Sequence, residues 1–280
     1  MISRIVLFLL AFLPLSMSGQ ADILTQIKTL LGRPPQHPPA IKILIVQDQD
    51  EAVLEVVGKY KLFDPNTNSH ISSRFLGKSK KIQAMADGLK WGEEFPCCHQ
   101  LELVPTTAQT QFFVNGIEYK GTLRVYSVCG KISIVNEIPI EDYLCLTLES
   151  KYSKSLSSEA LSAFAIAERT NAYFLANIPK RKFWSVDGTQ SGYEGYYAVD
   201  PNSPIQKAIR NTRYMVMSRT GTYEGIVTPF PAQWSDSSKE IAKGFAKISV
   251  DEVEQMAQKG SHAALILEKA FPRTSIQLIY

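Results

Sequence analysis

Glu149 follows Leu146 and Leu148. Apolar neighbours favour the protonated form of a carboxyl group, and a carboxyl that keeps its proton at neutral pH can serve as a general acid. Just before Ser150-Lys151, the same glutamate also reads as a solvated residue or one that caps a chain break. Glu141 and Asp142 are two further carboxylates, and their place after Pro139 suits the positive end of a helix. Arg169 lies among alanines in a helical stretch, where an arginine needs a buried partner. Glu168 beside it is expected to face solvent. Lys180-Arg181-Lys182 runs into Phe183-Trp184. That is either a basic loop with an aromatic platform for an acidic polymer, or a solvated loop beside a core tryptophan. Tyr143, Tyr193, Tyr196, Tyr197 and Trp234 are further aromatic candidates, although most aromatics fill cores.

The four cysteines are Cys97, Cys98, Cys129 and Cys145. An even count permits disulfides in an exported chain, with the connectivity open. A bond between the neighbours Cys97 and Cys98 would be strained, so partners at Cys129 or Cys145 are expected. Cys97-Cys98-His99 lacks the spacing of a zinc site. No metal and no cofactor is expected.

These residues need elements to hold them, and the order of elements is legible. Alternating and β-branched runs predict strands at 41–46, 52–60, 119–128 and 132–135, with further short strands near Phe75, Ile82 and Trp91. Asp64 to Asn68 forms a turn cluster, and Asn115-Gly116 after Phe112-Phe113-Val114 marks a hairpin. Helix signals start after Pro139. One helix is predicted over 140–148 and a second from Glu159 to about Ala176, capped by Ser157 or Ser158, with apolar residues at helical spacing. Loops and short strands are expected over 183–231, and two helices near 250–258 and 263–269 close the chain. A largely antiparallel β half followed by helices packed around a central cleft is an α+β fold.

The chain has 280 residues, 45% hydrophobic and 20% charged, which is a globular composition. A net charge of +3 shows no dominant basic patch, so nucleic acid is not an expected partner. Arg4, the apolar run 5–15 and the small residues Ser16, Ser18, Gly19 and Ala21 have the layout of a secretory signal peptide over 1–21. The apolar run is too short to span a bilayer, and no later stretch is long enough. Export to the periplasm or cell envelope is expected, with no stable membrane insertion after cleavage. Residues 22–40 read as a linker, Pro-rich over 33–39, before a domain over 41–280.

Three runs together carry a resemblance. Asn136-Glu137-Ile138-Pro139-Ile140-Glu141-Asp142-Tyr143-Leu144 is followed by Leu146-Thr147-Leu148-Glu149 and then by Glu159-Ala160-Leu161-Ser162-Ala163-Phe164-Ala165-Ile166-Ala167-Glu168-Arg169-Thr170. In this order they are similar to the signature of the SpoIID/LytB family. Val114-Asn115-Gly116 with Tyr119-Lys120-Gly121, and Tyr193-Glu194-Gly195, resemble two more of its elements. The resemblance implies a protein of the cell envelope acting on peptidoglycan glycan strands. It implies a lytic transglycosylase that cuts between N-acetylmuramic acid and N-acetylglucosamine, with Glu149 as the catalytic acid. Tyr143, Arg169, Lys180, Arg181, Lys182, Tyr193 and Trp234 would bind substrate, and the basic loop would suit the lactyl carboxylates of strands freed of stem peptides. The chain departs from the pattern in several places. Phe164 replaces a glutamine, Ser235 to Ser238 lacks glycines, and Lys243 to Lys247 lacks a histidine. These departures fit the alternative, a non-catalytic peptidoglycan binder that stimulates an N-acetylmuramoyl amidase.

Overall fold

The computed structural model describes residues 38–72, 79–152, 156–177, 181–220, 233–235 and 247–279. The expected signal peptide, and all but the last three residues of the expected linker, lie outside them. The architecture is α+β.

Up to Pro139 the described residues form strands joined by turns and loops, with no helix among them. Seven strands form one sheet in the order β13-β1-β12-β11-β8-β3-β4. Their ranges are Val186–Asp187 (β13), Ala40–Gln49 (β1), Lys131–Pro139 (β12), Thr122–Val128 (β11), Gln100–Pro105 (β8), Tyr60–Asp64 (β3) and Ser69–Ser72 (β4). Only the short β13 runs parallel to its neighbour, with Ile43 opposite Val186. Six strands form a second sheet in the order β10-β9-β2-β5-β6-β7. These are Ile117–Tyr119 (β10), Gln111–Val114 (β9), Glu51–Val57 (β2), Lys80–Met85 (β5), Gly88–Trp91 (β6) and Glu93–Pro96 (β7). Alternation sets the register: Ile41 and Ile43 in β1, and Leu54 and Val56 in β2, are turned into one core. That core collects side chains from both sheets and from the helices, and Trp91 is sealed in it with its indole N–H on the Leu54 carbonyl at 3.1 Å.

The predicted hairpin is present. Asn115 (φ 50°) and Gly116 (φ 85°) make the two-residue turn between β9 and β10. Two predicted strands are each split. The strand expected over 52–60 breaks at Gly58, and the one expected over 119–128 breaks at Lys120-Gly121, where Gly121 adopts φ +83°.

The helices follow. Helix α1 covers Ile140–Lys151 and α2 covers Ser158–Asn177. Pro139 occupies the N-cap of α1 without a side-chain bond, and the Ile140 N–H instead finds the Pro39 carbonyl at 2.8 Å. Ser157 accepts from the Ala160 N–H at the start of α2. Helix α2 is buried on most of its circumference. Its alanines let it pack closely against its neighbours. Two helices were not legible as such, Gly188–Ser191 (α3) and Pro204–Asn211 (α4). Ser203 caps α4 and Pro204 sits in its first turn, a start signal visible in the sequence. Helices Val250–Gln258 (α5) and Ala263–Ala270 (α6) match expectation. Strands Met215–Arg219 (β14) and Thr274–Leu278 (β17) pair antiparallel, and Gln233–Ser235 (β15) pairs parallel with Lys247–Ser249 (β16). No helix among the described residues is long and apolar enough to cross a membrane.

The four cysteines are all free, so the expected pairing of Cys97 or Cys98 with Cys129 or Cys145 is not formed. Cys129 sits at the exposed tip of the turn between β11 and β12 (φ 51°), whereas Cys145 lies along α1, where burial pushes its thiol up to about 11.

Candidate functional site: a groove beside helix α1

Helix α1 presents two opposite faces. Tyr143, Thr147 and Lys151 recur every four residues and so share one face. All three line a groove of about 850 Å3. Glu168 and Asn171 of α2 line the same groove, and Trp184, Asp187 and Gln190 face them from the segment running into α3. Asp187 caps α3, accepting from the Gln190 N–H at 3.2 Å.

The groove wall is braced from beneath. Asn136 of β12, fully buried, donates to the Lys120 carbonyl at 2.8 Å and the Thr122 carbonyl at 3.2 Å. Its side-chain oxygen accepts from the Tyr193 hydroxyl at 2.6 Å. The Tyr193 ring lies between Tyr119 and Tyr143, with ring centroids 6.1 and 6.2 Å away. Tyr143 therefore rests on an anchored aromatic layer. Burial pushes its phenol up to about 12, against a hydrogen bond with Ser191 that lowers it. Gly195 makes the adjoining turn possible, because a Cβ there would stand 2.7 Å from the Glu118 carbonyl oxygen at φ +100°.

Two acids line the groove, Asp187 and Glu168, and Glu168 is the one held in an ion pair. Its side chain is 14% exposed rather than solvent-facing. Lys151 Nζ lies 2.6 Å from its Oε1, and the Tyr152 hydroxyl donates to the same oxygen at 3.3 Å. Tyr152 is itself stacked on Phe164, centroids 4.6 Å apart.

Glu149 is turned elsewhere. Two residues along a helix is a rotation of about 200°, so Glu149 leaves α1 on the side away from Thr147. It is not among the residues lining the groove. Its Oε2 accepts from the Ser203 hydroxyl and from Gln206 Nε2, each at 3.0 Å, and Gln206 also donates to the Cys145 carbonyl at 2.9 Å. Leu146 and Leu148 are buried in the core. The donors to Glu149 are thus polar groups at the start of α4, its cap Ser203 and Gln206 of its first turn. Nearby, burial and the Glu149 charge both raise the Tyr197 phenol, whose hydroxyl donates to the Leu146 carbonyl at 2.6 Å.

The other expected binders divide. Arg181 and Tyr143 line the groove, whereas Lys182 does not and lies with its ammonium 5.3 Å from the Phe183 ring centre. Tyr193 is 5% exposed and supports Tyr143 from below. Arg169 is fully buried and pairs with Glu141, which puts it out of reach of any ligand in the groove. Lys180 lies outside the described residues, and of Trp234 only the backbone in β15 is described. Residues missed from sequence are Thr147, Lys151, Glu168, Asn171 and Gln190. The four-residue spacing from Tyr143 was the signal for Thr147 and Lys151. Among the described residues no group of three or more His, Cys, Asp or Glu side chains gathers as metal ligands would.

Comparisons with known proteins bear on the same segment. The family model of the stage II sporulation protein SpoIID matches residues 129–218, which include β12, α1, α2, α3, α4 and β14. An uncharacterized protein of Chlamydia muridarum is 30% identical over 264 residues, covering 93% of this chain and 84% of that protein. One from Chlamydia pneumoniae is 29% identical over 263 residues, covering 93% and 89%. One from Brachyspira hyodysenteriae is 30% identical over 197 residues, covering 69% and 51%. No solved structure matches the chain. The matched segment carries both helices of the groove and its supporting strand, and the chain belongs to the SpoIID family, with a cell-wall-related function.

Proposed function

We propose that the chain is an exported protein of the periplasm or cell envelope that holds a peptidoglycan glycan strand in the groove beside α1. One observation carries this reading. The groove combines aromatic surfaces, Trp184 and Tyr143, with hydroxyl and amide groups and two cations, Lys151 and Arg181. Sugar rings stack on aromatic faces and spend their hydroxyls on such polar groups. Of the carboxylates in the same groove, Glu168 is engaged by Lys151 and Asp187 caps α3, while Glu149 lies on the other side of the helix. Binding that serves a second enzyme, an N-acetylmuramoyl amidase acting on the same wall, fits this arrangement.

A second reading is a lytic transglycosylase with Glu149 as its acid. It is favoured by the half-buried carboxyl of Glu149, whose donors Ser203 and Gln206 are both neutral. In that reaction the acid protonates the leaving glycosidic oxygen, the sugar's own 6-hydroxyl attacks C1, and the hydroxyl proton returns to the carboxylate. The product is a 1,6-anhydro end, and no second carboxylate is required.

The two readings separate in one experiment. Purified protein is incubated with stem-peptide-free strands and with intact sacculi, and both retention and product masses are measured. Retention without new fragments is the expected result. Anhydro-ended fragments that disappear in Glu149→Gln establish the second reading in its place, and a protein that neither retains nor cuts strands overturns both.

A further inference from the structure

We propose that Lys151 reads a free carboxylate on the sugar strand, with Glu168 holding its ammonium ready, an inference that rests on the glycan-binding reading above. The four charged residues named in the groove are not equally committed. Both carboxylates accept hydrogen bonds from within the protein: Asp187 through one oxygen at the cap of α3, and Glu168 from Lys151 and Tyr152. Both cations have exposed side chains. Lys151 is 51% exposed against 14% for Glu168, and Arg181 is exposed. Lys151 is thus the more exposed partner and Glu168 the more buried one, and both line the groove.

The holder is rigid. Tyr152 binds the same Glu168 oxygen and is stacked on Phe164, and the Lys151 ammonium lies 5.9 Å from the Tyr152 ring centre. A lysine has three N–H donors, and Glu168 takes one of them. A half-exposed ion pair contributes little by itself. Sharing the ammonium with an incoming anion therefore costs little, and a bound sugar that displaces water strengthens the new contact. The anion that a glycan strand offers is the lactyl carboxylate of N-acetylmuramic acid. It is free only where the stem peptide is gone, because the peptide otherwise turns it into an amide.

The test compares binding of two ligands by full-length mature protein: stem-peptide-free strands, and the same strands with the lactyl carboxylates converted to methylamides. Wild type is expected to prefer the free carboxylate about tenfold, the worth of one charge-assisted hydrogen bond. Lys151→Gln is expected to bring that ratio close to one, and Lys151→Arg to keep most of it. A wild-type ratio near one overturns the proposal without any variant. So does a ratio that survives in Lys151→Gln. In both cases strands still bind and the glycan-binding reading stands, whereas failure to bind either ligand removes both.

Discussion

Arg169 and Glu141 form a two-point ion pair across the helical layer, Nε to Oε1 at 2.8 Å and NH2 to Oε2 at 3.0 Å. The guanidinium is fully buried. Its remaining N–H groups reach the Ile209 carbonyl, the Thr212 hydroxyl and the Met215 carbonyl, tying α1 and α2 to the end of α4 and the start of β14. It thereby satisfies carbonyls that a helix end would otherwise leave unpaired. Removing one member of such a pair leaves a buried charge uncompensated. Arg169→Ala is expected to lower unfolding free energy by about 3–5 kcal/mol in urea titration. Arg169→Lys is expected to recover only part of this, because an ammonium cannot reproduce the two-point fork. A loss under about 1 kcal/mol, the scale of an exposed pair, would contradict the role.

Gly121 and Gly116 both have positive φ but different surroundings. A Cβ at Gly121 would lie 2.3 Å from the Glu137 carbonyl oxygen, whereas one at Gly116 meets nothing within 4 Å. Gly116→Ala is expected to cost about 1 kcal/mol through backbone strain alone. Gly121→Ala is expected to cost several times more, because β11 and β12 must separate where Asn136 anchors the groove wall. Thermal melting of the two variants side by side checks the order.

Glu254 supplies a pH dependence. Burial alone would raise its carboxyl, but donation from the Ser157 N–H and hydroxyl and from Gln258 outweighs this and lowers it from 4.5. The contact joins α5 to the start of α2, with Ser157 N at 2.9 Å. A depressed carboxylate stabilises the fold above its unfolded value and loses that contribution as pH falls through the folded one. Wild type should therefore melt above Glu254→Gln at neutral pH, and the gap should close below about pH 4, near the ordinary glutamate value. A gap that stays constant with pH would show that the charge is not involved.

Trp184 is half-buried, packed with Phe183 against Leu44, Tyr126 and Val135, and lines the groove. Trp184→Ala is expected to weaken strand binding by about tenfold, a typical loss for one aromatic stacking contact. Phe183→Leu should disturb binding less, since Phe183 is not among the groove's lining residues. Isothermal titration with a defined muramic-acid-containing oligomer distinguishes them.

Local chemistry made several elements readable. The turn residues Asn115-Gly116, the cap Ser157 and the helical spacing along α2 each act over a few residues, and the structure follows them. The acidic pair after Pro139 announced the start of α1, and the neighbouring alanines implied a buried partner for Arg169. What the sequence could not disclose is which face of α1 meets the groove. Helical periodicity puts Tyr143, Thr147 and Lys151 on one side and Glu149 on the other, whatever surrounds the helix. Only the docking of α4, through Ser203 and Gln206, claims Glu149, and only the approach of α2 brings Glu168 to Lys151. Those contacts join residues 17 to 57 positions apart, and spacing along a chain carries no record of such meetings.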